Sequence, residues 1–194
     1  MIDNDEKQII SEILEKNGVI AFVTDTVWGI GCKAESEQGI KRIYDIKHRD
    51  GNKPLILMSY DNYPLLKYTK PLCKKAHILI KKYFPGALTL VVEKSNQTPD
   101  YITSGLKTVG IRVPDNEVFA DICKCTKDGV LATTSANLSS FPPALNYEEA
   151  LEYIGENVDY VVKDYGLKAK GTASTVVGVN DNEITIFRQG DIVI

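Results

Sequence analysis

The stretch Val130-Leu131-Ala132-Thr133-Thr134-Ser135-Ala136-Asn137 reads as a buried strand that leaves the core through small polar residues. A short apolar run, Val130 to Thr133, bounded by turn-forming residues is what a fully buried strand looks like. Thr133 to Asn137 are poor core material, and two readings fit them. One is a polar strand exit with a local Ser/Asn turn. The other is a hydrogen-bonding shelf, because Ser135 and Asn137, two apart, face the same side of an extended chain.

The neighbours of this strand are helices. Glu117 to Cys125 reads as one, and Asn146 caps another through Tyr153. Toward the N-terminus, Ile9, Ile10, Ile13 and Leu14 follow the i, i+3, i+4 rule and predict a helix over 5–16. Val19 to Val23 is then a short strand. Ser36 caps a helix with Ile40, Ile43 and Tyr44 inward, 54–59 is a strand, and Leu72, Ala76, Leu79, Ile80 and Tyr83 mark a helix stopped by Pro85-Gly86. Strands are predicted at 87–93, 109–113, 159–163, 174–179 and 183–188. Helices and strands alternate first and strands dominate the C-terminal part. The expectation is an α/β (α+β) fold, a twisted mixed β-sheet with helices on its faces, forming a single domain over 1–194.

Composition excludes several classes. Apolar residues make up 43% and charged residues 25% of 194, so the chain is neither disordered nor low-complexity. Twenty-three basic against 26 acidic side chains give a net charge of −3, which excludes a globally basic nucleic-acid protein but not a local basic patch. Four cysteines, with Cys123 and Cys125 as C-x-C, read as reduced thiols rather than a disulfide framework. The two histidines, His48 and His77, have no partner at ligand spacing, so no metal site is expected. The polar, acidic start and the lack of an 18-residue apolar run predict no signal peptide, no membrane span and a cytoplasmic protein.

Cations recur at element ends. Lys47-His48-Arg49 and Lys53 fall within seven residues, around a Gly-containing loop that leads into Pro54 and a strand. A helix end favours cations by its dipole. An Arg fork plus two Lys point charges also suits phosphate oxygens. Arg112, in Thr108-Val109-Gly110-Ile111-Arg112-Val113-Pro114, sits in a half-buried strand and must find a structural carboxylate, a ligand anion or water. Arg188 and Ser174 carry the same ambiguity. Gly29, Gly31 and Ala34 satisfy G-x-G-x-x-A, but Thr24 to Trp28 separate them from the strand and the next helix starts at Ser36, so a dinucleotide fingerprint is rejected. From Lys67 to Lys82 there are six lysines and no acid, and Lys74, Lys75, Lys81 and Lys82 share one stripe. That stripe is either a solvated helix face or an RNA-phosphate contact.

Taken in order, these pieces resemble the YrdC family of threonylcarbamoyl-adenylate synthases. Thr24-Asp25-Thr26-Val27-Trp28-Gly29-Ile30-Gly31 resembles its P-T-E-T-V-Y-G-L-G. Lys47-x-Arg49 and Ser135-x-Asn137 match K-x-R and S-x-N, and Lys53-Pro54-Leu55 resembles [KN]-P-L. Pro85-Gly86-Ala87-Leu88-Thr89 resembles P-G-P-x-T, and Thr108 to Pro114 resembles T-[VA]-[AG]-[IV]-R-[VM]-P. Ser174-Thr175-Val176 and Arg188-x-Gly190 match the C-terminal S-T-[VI] and R-x-G.

The resemblance implies one twisted mixed sheet with a cationic concave site. It implies formation of threonylcarbamoyl-AMP and pyrophosphate from L-threonine, bicarbonate and ATP, with tRNA-modifying partner proteins taking the product onward. Thr26, Arg112, Thr133 and Ser174 would hold L-threonine. Lys47, Arg49, Lys53, Thr108, Ser135, Asn137 and Arg188 would hold ATP, with Lys47, Arg49, Ser135 and Asn137 at the reaction centre. Mg2+ is expected with the triphosphate rather than in a protein cage. Departures are Val23 for proline, Asp25 for Glu, Trp28 for Tyr, Met58 where some relatives carry His, Ser139-Ser140 for the S-G continuation, and Pro143 where some carry Ser. The end at Ile194 implies the minimal type without an extra C-terminal domain. Two other readings stay open: a non-catalytic RNA- or tRNA-binding protein working through the lysine stripe, and a carbamoyl-phosphate-using relative.

Overall fold

The computed structural model describes residues 1–48, 53–137, 143–181 and 183–194. Helix α1 (Asn4–Glu15) is capped by the Asp3 side chain and buries Ile10 and Leu14. Strands β1 (Ile20–Phe22) and β2 (Gly29–Lys33) follow, then α2 (Glu37–Ile46), capped by the Ser36 hydroxyl on the Gly39 N–H. Next come β3 (Ile56–Ser59), the short α3 (Asn62–Leu65), α4 (Lys74–Tyr83), β4 (Leu88–Glu93), the short α5 (Asp100–Thr103) and β5 (Thr108–Arg112). The chain continues through α6 (Glu117–Lys124), β6 (Val130–Ser135), α7 (Tyr147–Ile154), β7 (Tyr160–Val161), β8 (Thr175–Val179) and β9 (Ile184–Arg188). Asn116 and Asn146 cap α6 and α7 by accepting N–H donors three residues on.

The strands form one mixed sheet in the order β7-β1-β2-β6-β3-β5-β4-β8-β9. Three neighbouring pairs are parallel, β1 with β7, β3 with β5 and β4 with β8, and the rest antiparallel. The expected mixed sheet with helices on its faces is therefore the fold.

Register separates the two faces. Cys32, Ala132, Leu57, Ile111, Leu90 and Val177 form one row across six strands, and all are buried. That row is core: Gly39 of α2 lies so close to Cys32 that a Cβ there would come within 2.8 Å of the Cys32 Cβ. The adjacent row, Ile20, Gly31, Thr133, Ile56, Gly110 and Val91, is on the opposite face and is smaller and more polar. α6 covers one end of that face, where Phe119 meets Phe22 at 4.9 Å between ring centres.

β2 is the strand the sequence reading did not contain. Its glycines are there for close approach, not for a phosphate turn. A Cβ at Gly29 would sit 2.9 Å from the Phe22 ring, and one at Gly31 would sit 3.0 Å from the Ala132 carbonyl oxygen.

A cationic hollow as candidate functional site

The polar face opens into a hollow of about 440 Å³, within the range of small-molecule sites. Its lining comes from distant stretches. Thr24, Thr26, Val27, Trp28 and Gly29 come from the β1–β2 loop and the start of β2, Lys47 from the end of α2, and Lys53, Pro54, Ile56 and Met58 from the approach to β3 and β3 itself. Arg112 ends β5, Thr133 to Ser135 and Asn137 lie at the exit of β6, and Pro143, Ala173, Ser174 and Arg188 close the rim.

Arg112 is the anchor and is only 2% exposed. Its Nε donates to the Gly86 carbonyl oxygen at 3.0 Å, its Nη1 to the Thr26 hydroxyl at 2.8 Å and its Nη2 to Asp25 Oδ1 at 2.5 Å. Burial pulls the guanidinium pKa below its ordinary value. Asp25 opposes that pull and nearby Arg188 adds to it. Arg112 thus meets a structural carboxylate and also lines the hollow. Thr26 is fixed in turn, sharing a hydrogen bond with the Thr24 hydroxyl at 3.0 Å.

The second corner joins β4, β8 and β9. The hydroxyls of Thr89 and Ser174 share a hydrogen bond at 2.9 Å. Arg188 donates from Nε to the Ser174 carbonyl oxygen at 2.9 Å and from Nη2 to the Ser174 hydroxyl at 3.1 Å. Partial burial also lowers the Arg188 pKa. Gly190 permits this corner, because a Cβ there would lie 2.3 Å from the Ala173 carbonyl oxygen.

The third corner ties α2 to β6. Lys47, 3% exposed, donates from Nζ to the Ser135 carbonyl oxygen at 2.6 Å, the Asn137 carbonyl oxygen at 2.7 Å and Asn137 Oδ1 at 2.9 Å. The Ser135 hydroxyl donates to the same Oδ1 at 2.6 Å. The Thr133 hydroxyl donates to the Ile56 carbonyl oxygen at 2.9 Å, pinning β6 to β3 within the hollow.

Of the residues singled out from the sequence, Thr26, Lys47, Lys53, Arg112, Thr133, Ser135, Asn137, Ser174 and Arg188 line this one hollow. Arg49 lies outside the described residues, as do Ser139 and Ser140. Thr108 does not line it. It begins β5, four residues before Arg112, and at roughly 3.3 Å per residue a strand carries it about 13 Å away on the same face. The lysine stripe is elsewhere too. Lys74, Lys75, Lys81 and Lys82 are on α4, and none of them lines the hollow. Lys67 and Lys70 are committed to ion pairs with Glu35 and Glu93.

Sequence reasoning missed the supports rather than the contacts. Asp25, Gly86 and Thr89 each hold a lining residue, and all three lie inside motifs quoted above. Trp28 stands where the resembling motif has Tyr. It lines the hollow, packs at 6.2 Å from Tyr147, and its buried Nε1 has no hydrogen-bond partner among the described residues. Among the described residues no three His, Cys, Asp or Glu side chains are grouped to hold a metal ion. No helix among them is long and apolar enough to cross a membrane.

Comparison with known proteins places these features. The family model for Sua5, YciO and YrdC proteins, described as "Telomere recombination", matches residues 12–190. A threonylcarbamoyl-AMP synthase of Bacillus subtilis is 35% identical over 93% of this chain and 52% of its own. A putative threonylcarbamoyl-AMP synthase of Methanocaldococcus jannaschii is 32% identical over 97% of this chain and 89% of its own. The crystal structure of Pyrococcus abyssi Sua5 complexed with L-threonine superposes with a TM-score of 0.91 at 29% identity, covering 98% of this chain and 55% of that one. The chain therefore spans about half the length of the Bacillus and Pyrococcus proteins and most of the Methanocaldococcus one.

Proposed function

Because the chain belongs to the Sua5/YciO/YrdC family, we propose that it is a threonylcarbamoyl-AMP synthase, a nucleotidyltransferase that joins L-threonine, bicarbonate and ATP. The observation that carries this reading is the convergence of Lys47, Lys53, Arg112 and Arg188 on one hollow edged by small hydroxyl and amide side chains.

The chemistry requires such a hollow. The threonine amine bonds to the carbonyl carbon of bicarbonate and water leaves, giving an N-carboxylate. An oxygen of that carboxylate then bonds to the α-phosphorus of ATP, the α–β phosphoanhydride breaks, and pyrophosphate departs. Both partners of the second step are anions. Two unit charges 4 Å apart repel by about 4 kcal/mol at an effective dielectric near 20. Fixed cations offset that repulsion and hold the attacking oxygen in line. The substrate brings its own nucleophile, so the residues bind and neutralise, and no covalent intermediate with the protein is required.

We assign L-threonine to Thr26, Arg112, Thr133 and Ser174. ATP falls to Lys47, Lys53, Ser135, Asn137 and Arg188, with Arg49 as a further ATP ligand by its K-x-R position. Asp25, the carboxylate beside the hollow, is committed to Arg112. The described residues therefore do not fit a magnesium cage, and Mg2+ enters as the counter-ion of the triphosphate. The same reading passes the activated group to tRNA-modifying partner proteins in the cytoplasm, with the α4 lysines as the surface for any tRNA contact.

The test is pyrophosphate release from purified protein, bicarbonate and ATP, with and without L-threonine. Release that depends on threonine supports the reading. Release that depends instead on carbamoyl phosphate, or no release, overturns it.

A further inference from the structure

Lys47 combines three short hydrogen bonds with deep burial. An ammonium has three N–H donors and no acceptor capacity. The Ser135 carbonyl, the Asn137 carbonyl and Asn137 Oδ1, all within 2.9 Å, match those three donors. These three acceptors are neutral oxygens of the β6 exit, and a 3% exposed cation is held there because losing them would leave buried donors unsatisfied.

The bond to Oδ1 has a consequence for the amide. Lys47 can only donate, so only the oxygen end of the Asn137 side chain can face it. The Ser135 hydroxyl, donating to the same oxygen at 2.6 Å, favours the same orientation. The Nδ2 donors are thereby turned to the other side of an amide that lines the hollow.

We propose that Lys47 is a positioning residue: it locks the Asn137 amide with its N–H2 end toward the nucleotide, and its effect on the reaction runs through Asn137 rather than through a phosphate contact of its own. This rests on the synthase reading above and, within it, moves Lys47 from the direct ATP contacts to the support of Asn137. A phosphate ligand and a positioning lysine differ in how they couple to Asn137. Removing a ligand costs the same whether or not Asn137 is intact. Removing a positioning group costs nothing more once the group it positions has gone.

The experiment is a double-mutant cycle on kcat/KM for ATP in threonine-dependent pyrophosphate release, using wild type, Lys47→Met, Asn137→Ala and the double variant at one ionic strength. The expected result is a loss of at least tenfold in each single variant and a double variant within about threefold of the worse single one. Losses that multiply, or a Lys47→Met variant within threefold of wild type, overturn the proposal. Should Lys47→Met not fold, Asn137→Asp decides. It keeps an oxygen for Lys47 and Ser135 but replaces the N–H2 with a charged oxygen. Wild-type activity there overturns the proposal, and a tenfold loss relative to wild type that persists at high ionic strength supports it. A loss that salt abolishes is charge repulsion and overturns it. A wild-type protein that releases no pyrophosphate overturns the synthase reading and this inference with it. An active wild type with multiplying losses overturns the inference alone.

Discussion

The Nη1 of Arg112 lies 2.8 Å from the Thr26 hydroxyl, 86 residues away in the chain. With the Asp25 and Gly86 bonds, this contact locks the β1–β2 loop to the end of β5 and to the turn before β4. The guanidinium is held on three sides, so it is pre-positioned for an anion entering the hollow and loses little freedom on binding.

Arg112→Lys keeps a charge but removes the fork that reaches Thr26 and Asp25 together. Losing a charged hydrogen bond costs about 1.5–3 kcal/mol, so the KM for L-threonine should rise about 10- to 150-fold with the KM for ATP much less affected. Steady-state kinetics with each substrate varied in turn checks this. An unchanged threonine KM removes Arg112 from the threonine site.

Gly190→Ala should break the Ser174–Arg188 corner. The added Cβ would meet the Ala173 carbonyl oxygen at 2.3 Å and the Thr175 nitrogen at 2.7 Å, both backbone atoms that cannot move aside cheaply. A lowered melting temperature and weaker ATP binding are expected, by calorimetry and titration. A variant that melts and binds like wild type means the β8 and β9 ends are not coupled as described.

Lys81→Glu combined with Lys82→Glu should leave kcat/KM for ATP and threonine within about twofold of wild type, because neither lysine lines the hollow. Any tRNA association should weaken, with a shallower dependence on salt. Filter binding at several salt concentrations, run beside the activity assay, separates the two effects. A fall in synthesis would connect α4 to the reaction.

Asp159 sets an acid limit. Burial raises its pKa, but the ion pair with Arg42 and the Val19 N–H, donating at 2.8 Å, outweigh this and leave it lowered. A carboxylate depressed on folding stabilises above its unfolded pKa, near 4, and that stability fades as pH falls through the folded value. Asp159→Asn should therefore cost about 1 kcal/mol at pH 7, discounted for solvent around a side chain one-third exposed. The difference from wild type should shrink below pH 4. Urea denaturation at pH 7 and pH 3.5 measures it, and an equal difference at both values contradicts the assignment.

The strands that were legible in the sequence are those with apolar cores, such as β6, where Leu131 and Ala132 are buried on opposite faces of the sheet. β2 was not legible. Gly29 and Gly31 lower strand propensity, and what makes them a strand is the Phe22 ring and the β6 backbone pressed against them. The site residues were legible one motif at a time, but not their wiring. Nothing in Pro85-Gly86-Ala87-Leu88-Thr89 says that Gly86 would hold Arg112 and Thr89 would hold Ser174, since both bonds depend on β4 lying between β5 and β8. Thr108 shares a face with Arg112 but is not among the residues that line the hollow. Sharing a strand face with Arg112 does not overcome four residues of strand length.

The claim on which the rest depends is that these gathered cations join two anions. Purified protein incubated with L-threonine, bicarbonate and ATP, then read by mass spectrometry, tests it directly. The predicted result is threonylcarbamoyl-AMP, formed in step with pyrophosphate and lost in Arg112→Lys at low threonine. ATP left intact, or AMP appearing without the threonylcarbamoyl group whether or not threonine is present, would contradict it.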